Sequence, residues 1–388
     1  MSKQKEVVEL VESLQMGRTS RRDFVVRALG LGLSVGTVGA LLTSCSGEEA
    51  APPAPVVPAA APVPPPEPEL GPIEAELHIY NWSDYIAEDT VANFEKEFKV
   101  KVTYDTFESN EEMIAKLQAG AGGYDLVCPS GYAITVLRKL DLVEKLVKKH
   151  LPNYSNIAPM FLKTVFDEEN AYSVPWQWGI TGIAFRKDKL AAPPDSWGIF
   201  HDAALKGKMT QMDDMRDVLG AWLKFRGKSV NSVNPEELAA AKADAILAKA
   251  NLKSYISAPV KAQLIAGDVF VAQLWNGDTM QAKVENAEID FAVPKEGAAI
   301  WADAMMIPKG AKNKRAAHEF LNFILRPEVG ASISDFTGYG SPNAAATAKM
   351  ATPVAYPTDE QLKLLEYQQD LAEGTALWDQ VWTEIKSG

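Results

Sequence analysis

Between Glu76 and Ser130 the hydrophobic period changes repeatedly, and this alternation constrains the fold more than any other feature of the sequence. "AELHIYNW" reads as a strand, "AEDTVANFEKEF" puts Val91, Phe94 and Phe98 at helical spacing, and "KVTYDTF" is a strand again. "SNEEMIAKLQAG" opens with Ser109 and Glu112 in capping-box positions and closes at Gly120, after which "YDLVCPS" returns to strand. Strand, helix, strand, helix, strand implies parallel strands joined by crossover helices, and therefore an α/β fold. Ligands of such sheets sit beyond the carboxyl ends of the strands. "YNWSDY" and "PSGY" fall at those ends, and the first crowds three aromatic rings around Asp84 where a core strand would continue with aliphatic residues.

After "YSVPWQWGITGIAFRKDKL" the pattern restarts with "GKMTQMDDMRD", a helix in "NPEELAAAKADAILAKA", and strands in "VFVAQLWNGD" and "IDFAVPKEG". A second α/β lobe is expected, and a chain of 388 residues, 47% hydrophobic, is long enough for both. "AIWADAMMIP" precedes the amphipathic "NKRAAHEFLNFIL", which should stop before Pro327, and the C-terminal stretch from Asp359 reads as two helices separated near Gly374.

The first seventy residues have a different character. Arg21 and Arg22 stand ahead of an apolar, glycine-rich run from Ala28 to Leu42, resembling a twin-arginine export signal, and "LLTSC" resembles a lipobox with Cys45 as the acylated residue. The run falls short of the roughly 20 apolar residues that a comfortable membrane span needs. Residues 46–72 contain ten prolines and little that could form a core. As an extended tether at about 3.1 Å per residue they would reach roughly 80 Å. The expected organisation is a signal peptide at 1–44, lipidated Cys45 and linker over 45–73, one lobe from 74–179 plus 302–347, and a second from 180–301 plus 348–388. The protein is expected in the periplasm or on the cell surface, anchored to the membrane by lipid.

Charge narrows the partners. The net charge is −12, and the first 44 residues hold six Lys/Arg against four Asp/Glu, so the remainder is more acidic than the whole. Phosphate binding needs a surplus of Lys/Arg, so no nucleic-acid partner is expected, and a cationic ligand suits such a surface better. Two cysteines, Cys45 and Cys128, exclude a disulfide framework, and Cys128 reads as a small buried strand residue. The four histidines lack ligand spacing and read as surface or capping residues, so no metal or other cofactor is expected.

Four segments that read as strand or loop ends share one composition: "NWSDY" (Trp82, Asp84, Tyr85), "DDMRD" (Asp213, Asp214, Asp217), "LWNGD" (Trp275, Asp278) and "IWAD" (Trp301, Asp303). Carboxylates accept charge-assisted hydrogen bonds from ammonium groups, and aromatic faces attract cations while covering a methylene chain. Together these suit an elongated polyamine. Each motif alone has an ordinary alternative: a Trp is more often core, and an Asp after a strand is more often a turn or cap. Paired carboxylates could also serve glycoside cleavage, and the same type of site could hold another small cation or a sugar.

The chain from Glu76 onward resembles the polyamine-binding proteins of bacterial ABC importers, the spermidine- and putrescine-binding periplasmic proteins. "YNWSDYIAEDTVANFEKE", "YDLVCPS", "WNGD", "IPKGAKNK" and "TGYGSPN" carry that resemblance in order and spacing. It implies a two-lobed periplasmic-binding-protein fold of type II with the ligand cleft between the lobes. By the family pattern Trp82 and Tyr339 wall the cleft, with Trp275 and Trp301 nearby. Ser83 and Asp84 bind one end of the ligand with Ser130 and Tyr132, Asp303 holds an amine near the centre, and Asp214 and Asp217 serve the opposite lobe's amine site. The family often has Glu where Asp217 stands. Asp278 resembles the putrescine-binding branch, while Trp301 and Gln368 resemble the spermidine-binding branch. The implied protein is a binding component and not an enzyme, one that captures a polyamine and delivers it to a permease; a monomer is the default expectation.

Overall fold

The computed structural model describes residues 3–33, 38 and 68–387, apart from 108, 121–122, 258, 352–353 and 355–356. The chain divides into two units, Met1–Pro65 and Pro66–Gly388. In the first, helices Lys3–Gln15 and Arg21–Gly30 follow one another, the second capped by Ser20, whose side chain accepts the Asp23 N–H. Leu10, Phe24, Ala28 and Val38 form a small core there. Cys45 and most of the apolar run lie outside the described residues. No described helix is long and apolar enough to cross a membrane.

The second unit is built on β1 (Glu76–Trp82), β2 (Lys101–Phe107), β3 (Leu126–Val127), β4 (Val143–Glu144), β5 (Ser173–Arg186), β6 (Met209–Gln211), β7 (Leu252–Tyr255), β8 (Val271–Trp275), β9 (Ile289–Ala292), β10 (Ala299–Pro308) and β11 (Glu366–Tyr367). The sheet runs β2-β1-β3-β10-β5-β8-β6-β7, with β4 and β11 beside β10 and β9 beside β5. As the alternating pattern requires, β1 is parallel to both β2 and β3. The crossover helices are Glu88–Phe98 and Asn110–Gln118, the latter capped by Ser109.

Two antiparallel strands carry the chain from one core to the other. Val174, Trp176, Trp178 and Ile180 of β5 pack with Leu77, Ile79 and Leu126, whereas Ile183 and Phe185 of the same strand pack with Trp197, Trp222 and Trp378. At about 3.3 Å per residue, a strand of 14 residues is long enough to serve both. Gly179 sits in the middle of β5, where a side chain would lie 2.6 Å from the Trp301 ring of β10. The missing Cβ lets the indole lie against the strand.

Several expectations are corrected. The stretch from Asp359 contains one helical turn, Asp359–Leu362, then β11, and a helix only at Thr375–Ser387. "IWAD" is not a strand end, because Trp301 and Asp303 lie within β10, at a register shift after Asp303. His318 is a core residue, 1% exposed, whose Nε2 accepts the Val147 N–H. Cys128, by contrast, is buried as expected, directly after β3, and its carbonyl accepts the Trp82 indole N–H.

Candidate functional site

The carboxyl ends of the parallel strands open onto a cleft of about 1020 Å³, counted with the part open to solvent. All fourteen residues singled out in the sequence line it: Trp82, Ser83, Asp84, Tyr85, Ser130, Tyr132, Asp214, Asp217, Trp275, Asp278, Trp301, Asp303, Tyr339 and Gln368. Asp213 is there as well, making six aspartates.

Each is placed by a local device. Trp82 ends β1, its indole N–H held by the Cys128 carbonyl at 2.9 Å and its ring 4.6 Å from that of Phe107. Asp84 follows in a turn at φ 52°, a left-handed conformation that Asp tolerates better than most residues. Ser130 stands at the N-cap of helix Gly131–Lys139, and its backbone N–H donates to Asn110 Oδ1. Tyr132 OH accepts from Asn110 Nδ2 and donates to Glu111 Oε1.

Three of the acids sit at helix N-termini, where the peptide dipoles favour negative charge. Asp214 caps Met215–Phe225 by accepting the Asp217 N–H at 2.9 Å, and Asp217 lies in the first turn. The ordinary capping role of "DDMRD" is therefore real and coexists with its place in the cleft. Asp278 lies in the first turn of Asn276–Glu285, directly after Trp275 ends β8. Trp301 and Asp303 share one face of β10 by the two-residue strand period.

The carboxylates differ in how they are satisfied. Asp217 Oδ1 accepts from Thr181 Oγ1 at 2.9 Å and Gln368 Nε2 at 3.1 Å, while its Oδ2 faces Trp275 Nε1 at 3.3 Å. Its side chain is thus within reach of the cleft despite being shorter than Glu. Burial, helped by the neighbouring Asp214 charge, pushes its carboxyl up to about 7 against those donors. Burial alone raises Asp303 to about 7, opposed by the Ser130 side chain and the Tyr85 hydroxyl. Among the described residues, Asp303 Oδ1 and Tyr85 OH are buried without a well-aligned hydrogen-bond partner. Asp278 accepts the Tyr339 hydroxyl at 2.9 Å and is raised by burial, with Lys261 pulling the other way.

As lining residues, sequence reasoning missed four: Ser109, Asn110, Ser257, whose Oγ accepts the Asp213 N–H at 3.2 Å, and above all Lys261. Lys261 Nζ lies 3.5 Å from Asp84 Oδ2 and 3.8 Å from Asp278 Oδ1. Nothing in "SAPVKAQLIAG" distinguishes this lysine from a solvated one on a short helix. The aromatic walls are connected: Tyr339 lies edge-on to Tyr85 at 5.3 Å and to Trp301 at 5.2 Å.

Residues 89–363 match the model of the bacterial extracellular solute-binding protein family. The chain belongs to that family. Similar relatives include the spermidine/putrescine-binding periplasmic protein of Escherichia coli, 35% identical over 319 residues, covering 80% of this chain and 92% of the relative. The putrescine-binding periplasmic protein PotF of the same organism is 36% identical over 348 residues, covering 82% and 94%. Among solved structures, the TpPotD lipoprotein of Treponema pallidum superposes with a TM-score of 0.75 at 32% identity, covering 80% of this chain and 99% of the other. The spermidine/putrescine substrate-binding protein PotD of Streptococcus pneumoniae gives 0.71 at 31%, covering 81% and 99%. This solute-binding protein has the periplasmic-binding-protein fold, as the family resemblance implied, and it is α/β, as the alternating pattern required. Its relatives are transport components named for the solutes they bind.

Proposed function

We propose that this solute-binding protein captures a protonated polyamine, spermidine or putrescine, between two lobes and delivers it to an ABC permease. One observation carries the reading: six aspartates and a set of aromatic rings, drawn from segments far apart in sequence, line one cleft. An ammonium leaving water needs several acceptors to offset its lost hydration, and aromatic faces add about 0.5 to 2 kcal/mol each. Asp303 is the central acceptor, since it lines the cleft and its buried Oδ1 lacks a well-aligned hydrogen-bond partner within the protein. Ser83 and Asp84 serve one end of the ligand, Ser130, bridged to Asp303, stands at the centre, and Asp214 and Asp217, with Gln368 and with Tyr132, whose ring lies 5.2 Å from the Arg216 guanidinium, serve the other. Trp82, Tyr85, Trp275, Trp301 and Tyr339 cover the methylene chain.

The lobes comprise 74–179 plus 302–347 and 180–301 plus 348–388, with β5 and β10 passing between them. Closure is favoured by contacts that exist only when both lobes hold the ligand. No bond is made or broken, so the protein is not an enzyme and needs no cofactor. It acts as a monomer in the periplasm or at the cell surface, exported by its twin-arginine leader and tethered through lipidated Cys45 and the proline-rich linker.

Isothermal titration with putrescine, cadaverine, spermidine and spermine tests the reading. Binding of at least one, weakening as salt is raised, is expected for a charged ligand. Absence of heat for all four, or a salt-independent affinity for a neutral sugar instead, would overturn it.

A further inference from the structure

The cleft already contains a cation. Lys261, on the short helix Val260–Ala266, places Nζ 2.9 Å from Gln281 Oε1, 3.5 Å from Asp84 Oδ2 and 3.8 Å from Asp278 Oδ1. Its side chain is 18% exposed. Gln281 in turn donates from Nε2 to the Thr337 carbonyl at 2.7 Å, which turns its amide oxygen toward the lysine. Three acceptors around one ammonium is the arrangement a ligand's primary amine seeks, because such a group has three donors and no acceptor. Among the described residues that line the cleft, Lys261 is the one basic side chain.

We propose that Lys261 is a built-in ammonium that fills the Asp84–Asp278 end of the cleft and thereby determines which polyamines bind. The proposal rests on the reading of the cleft as a polyamine site. A diamine can place its charges at Asp303 and toward Asp214 and Asp217, where no lysine stands. A longer triamine that brings a further ammonium to the Asp84–Asp278 end meets Lys261 already there. It must displace that side chain or bear like-charge repulsion in a partly desolvated site. Lys261 is thus a specificity-determining residue that favours the shorter ligand.

The test compares putrescine and spermidine on the full chain, wild type against Lys261→Met, which keeps most of the apolar stem and removes the charge. Spermidine affinity is expected to rise tenfold or more while putrescine affinity changes less than threefold. Equal changes for both ligands, or weakened spermidine binding, would overturn the proposal. A wild-type measurement guards against a folding defect in the variant: in protein carrying isotope-labelled lysine, with the Lys261 signal assigned through Lys261→Arg, spermidine should shift that signal more than putrescine. An equal response to both, or none to either, would count against it. Failure of any polyamine to bind wild type would strike the underlying function, whereas binding with an unchanged putrescine-to-spermidine ratio in Lys261→Met would strike the role of Lys261 alone.

Discussion

The two ends of the cleft solve the same electrostatic problem in different ways. At one end Asp84 and Asp278 share the Lys261 ammonium. At the other, Asp217 is surrounded by neutral donors, namely Thr181, Gln368 and Trp275. Arg216 is close by, yet its guanidinium donates to the Gln369 carbonyl and to Asn231 Oδ1. Neutral dipoles stabilise a carboxylate less than a full charge does, so burial still holds Asp217 at about 7. One end is therefore matched in advance, while the far end and the central Asp303 gain most from an arriving cation.

The largest expected effect is at the centre. Asp303→Asn should weaken polyamine binding by about 2 to 5 kcal/mol, the usual result of removing one partner of a buried charge pair, measured by titration calorimetry. The same substitution should raise the unfolding temperature of the unliganded protein at pH 8, because it removes a buried charge that has no full counter-charge. The comparison of the ends is sharpened by Asp217→Asn and Asp278→Asn. The former should cost several times more affinity for putrescine, since Lys261 already balances Asp278; equal losses would break the comparison.

Acidity provides the next test. Asp303 and Asp217 stand at about 7 in the fold, against an ordinary value of 3.8. Below about pH 4 they are protonated whether folded or unfolded and contribute nothing. Between 4 and 7 the unfolded chain gives up protons that the folded cleft keeps, so their contribution to unliganded stability falls as pH rises and is lowest above 7. A ligand ammonium favours the ionised form, so affinity should increase from pH 5.5 to 8, by about tenfold for each carboxyl that ligand binding ionises across more than one pH unit. A flat profile would show that these groups do not face the ligand.

Smaller effects follow from the walls. Trp82→Ala should cost about 0.5 to 2 kcal/mol of affinity through the lost cation-π contact. Tyr339→Phe removes one hydrogen bond to Asp278 and should cost about 1 kcal/mol. Asp379→Asn, on the exposed face of the C-terminal helix, should leave the titration unchanged.

The parallel β1, β2 and β3 were legible because their alternation with helices follows from local periodicity. The composition shared by four segments also pointed correctly to one cleft. What sequence could not show were contacts between distant positions, such as Gln368 on Asp217 or Lys261 between Asp84 and Asp278. A lysine on a seven-residue helix has no periodic signature of burial. The pattern of "LKLLEY" reads as helix, but pairing of Glu366 and Tyr367 with β10 overrides that local preference. "IWAD" shares its composition with segments that end strands or begin loops, yet it lies inside β10, where a register shift after Asp303 and the cleft itself replace an ordinary core environment.

The central claim is that buried carboxyls held near neutrality give up protons to an arriving ammonium. Calorimetric titration of putrescine at pH 7, repeated in buffers of different ionisation enthalpy, counts those protons. The account predicts net proton release on binding, reduced in Asp303→Asn. Binding with no proton exchange, or with proton uptake, would contradict it.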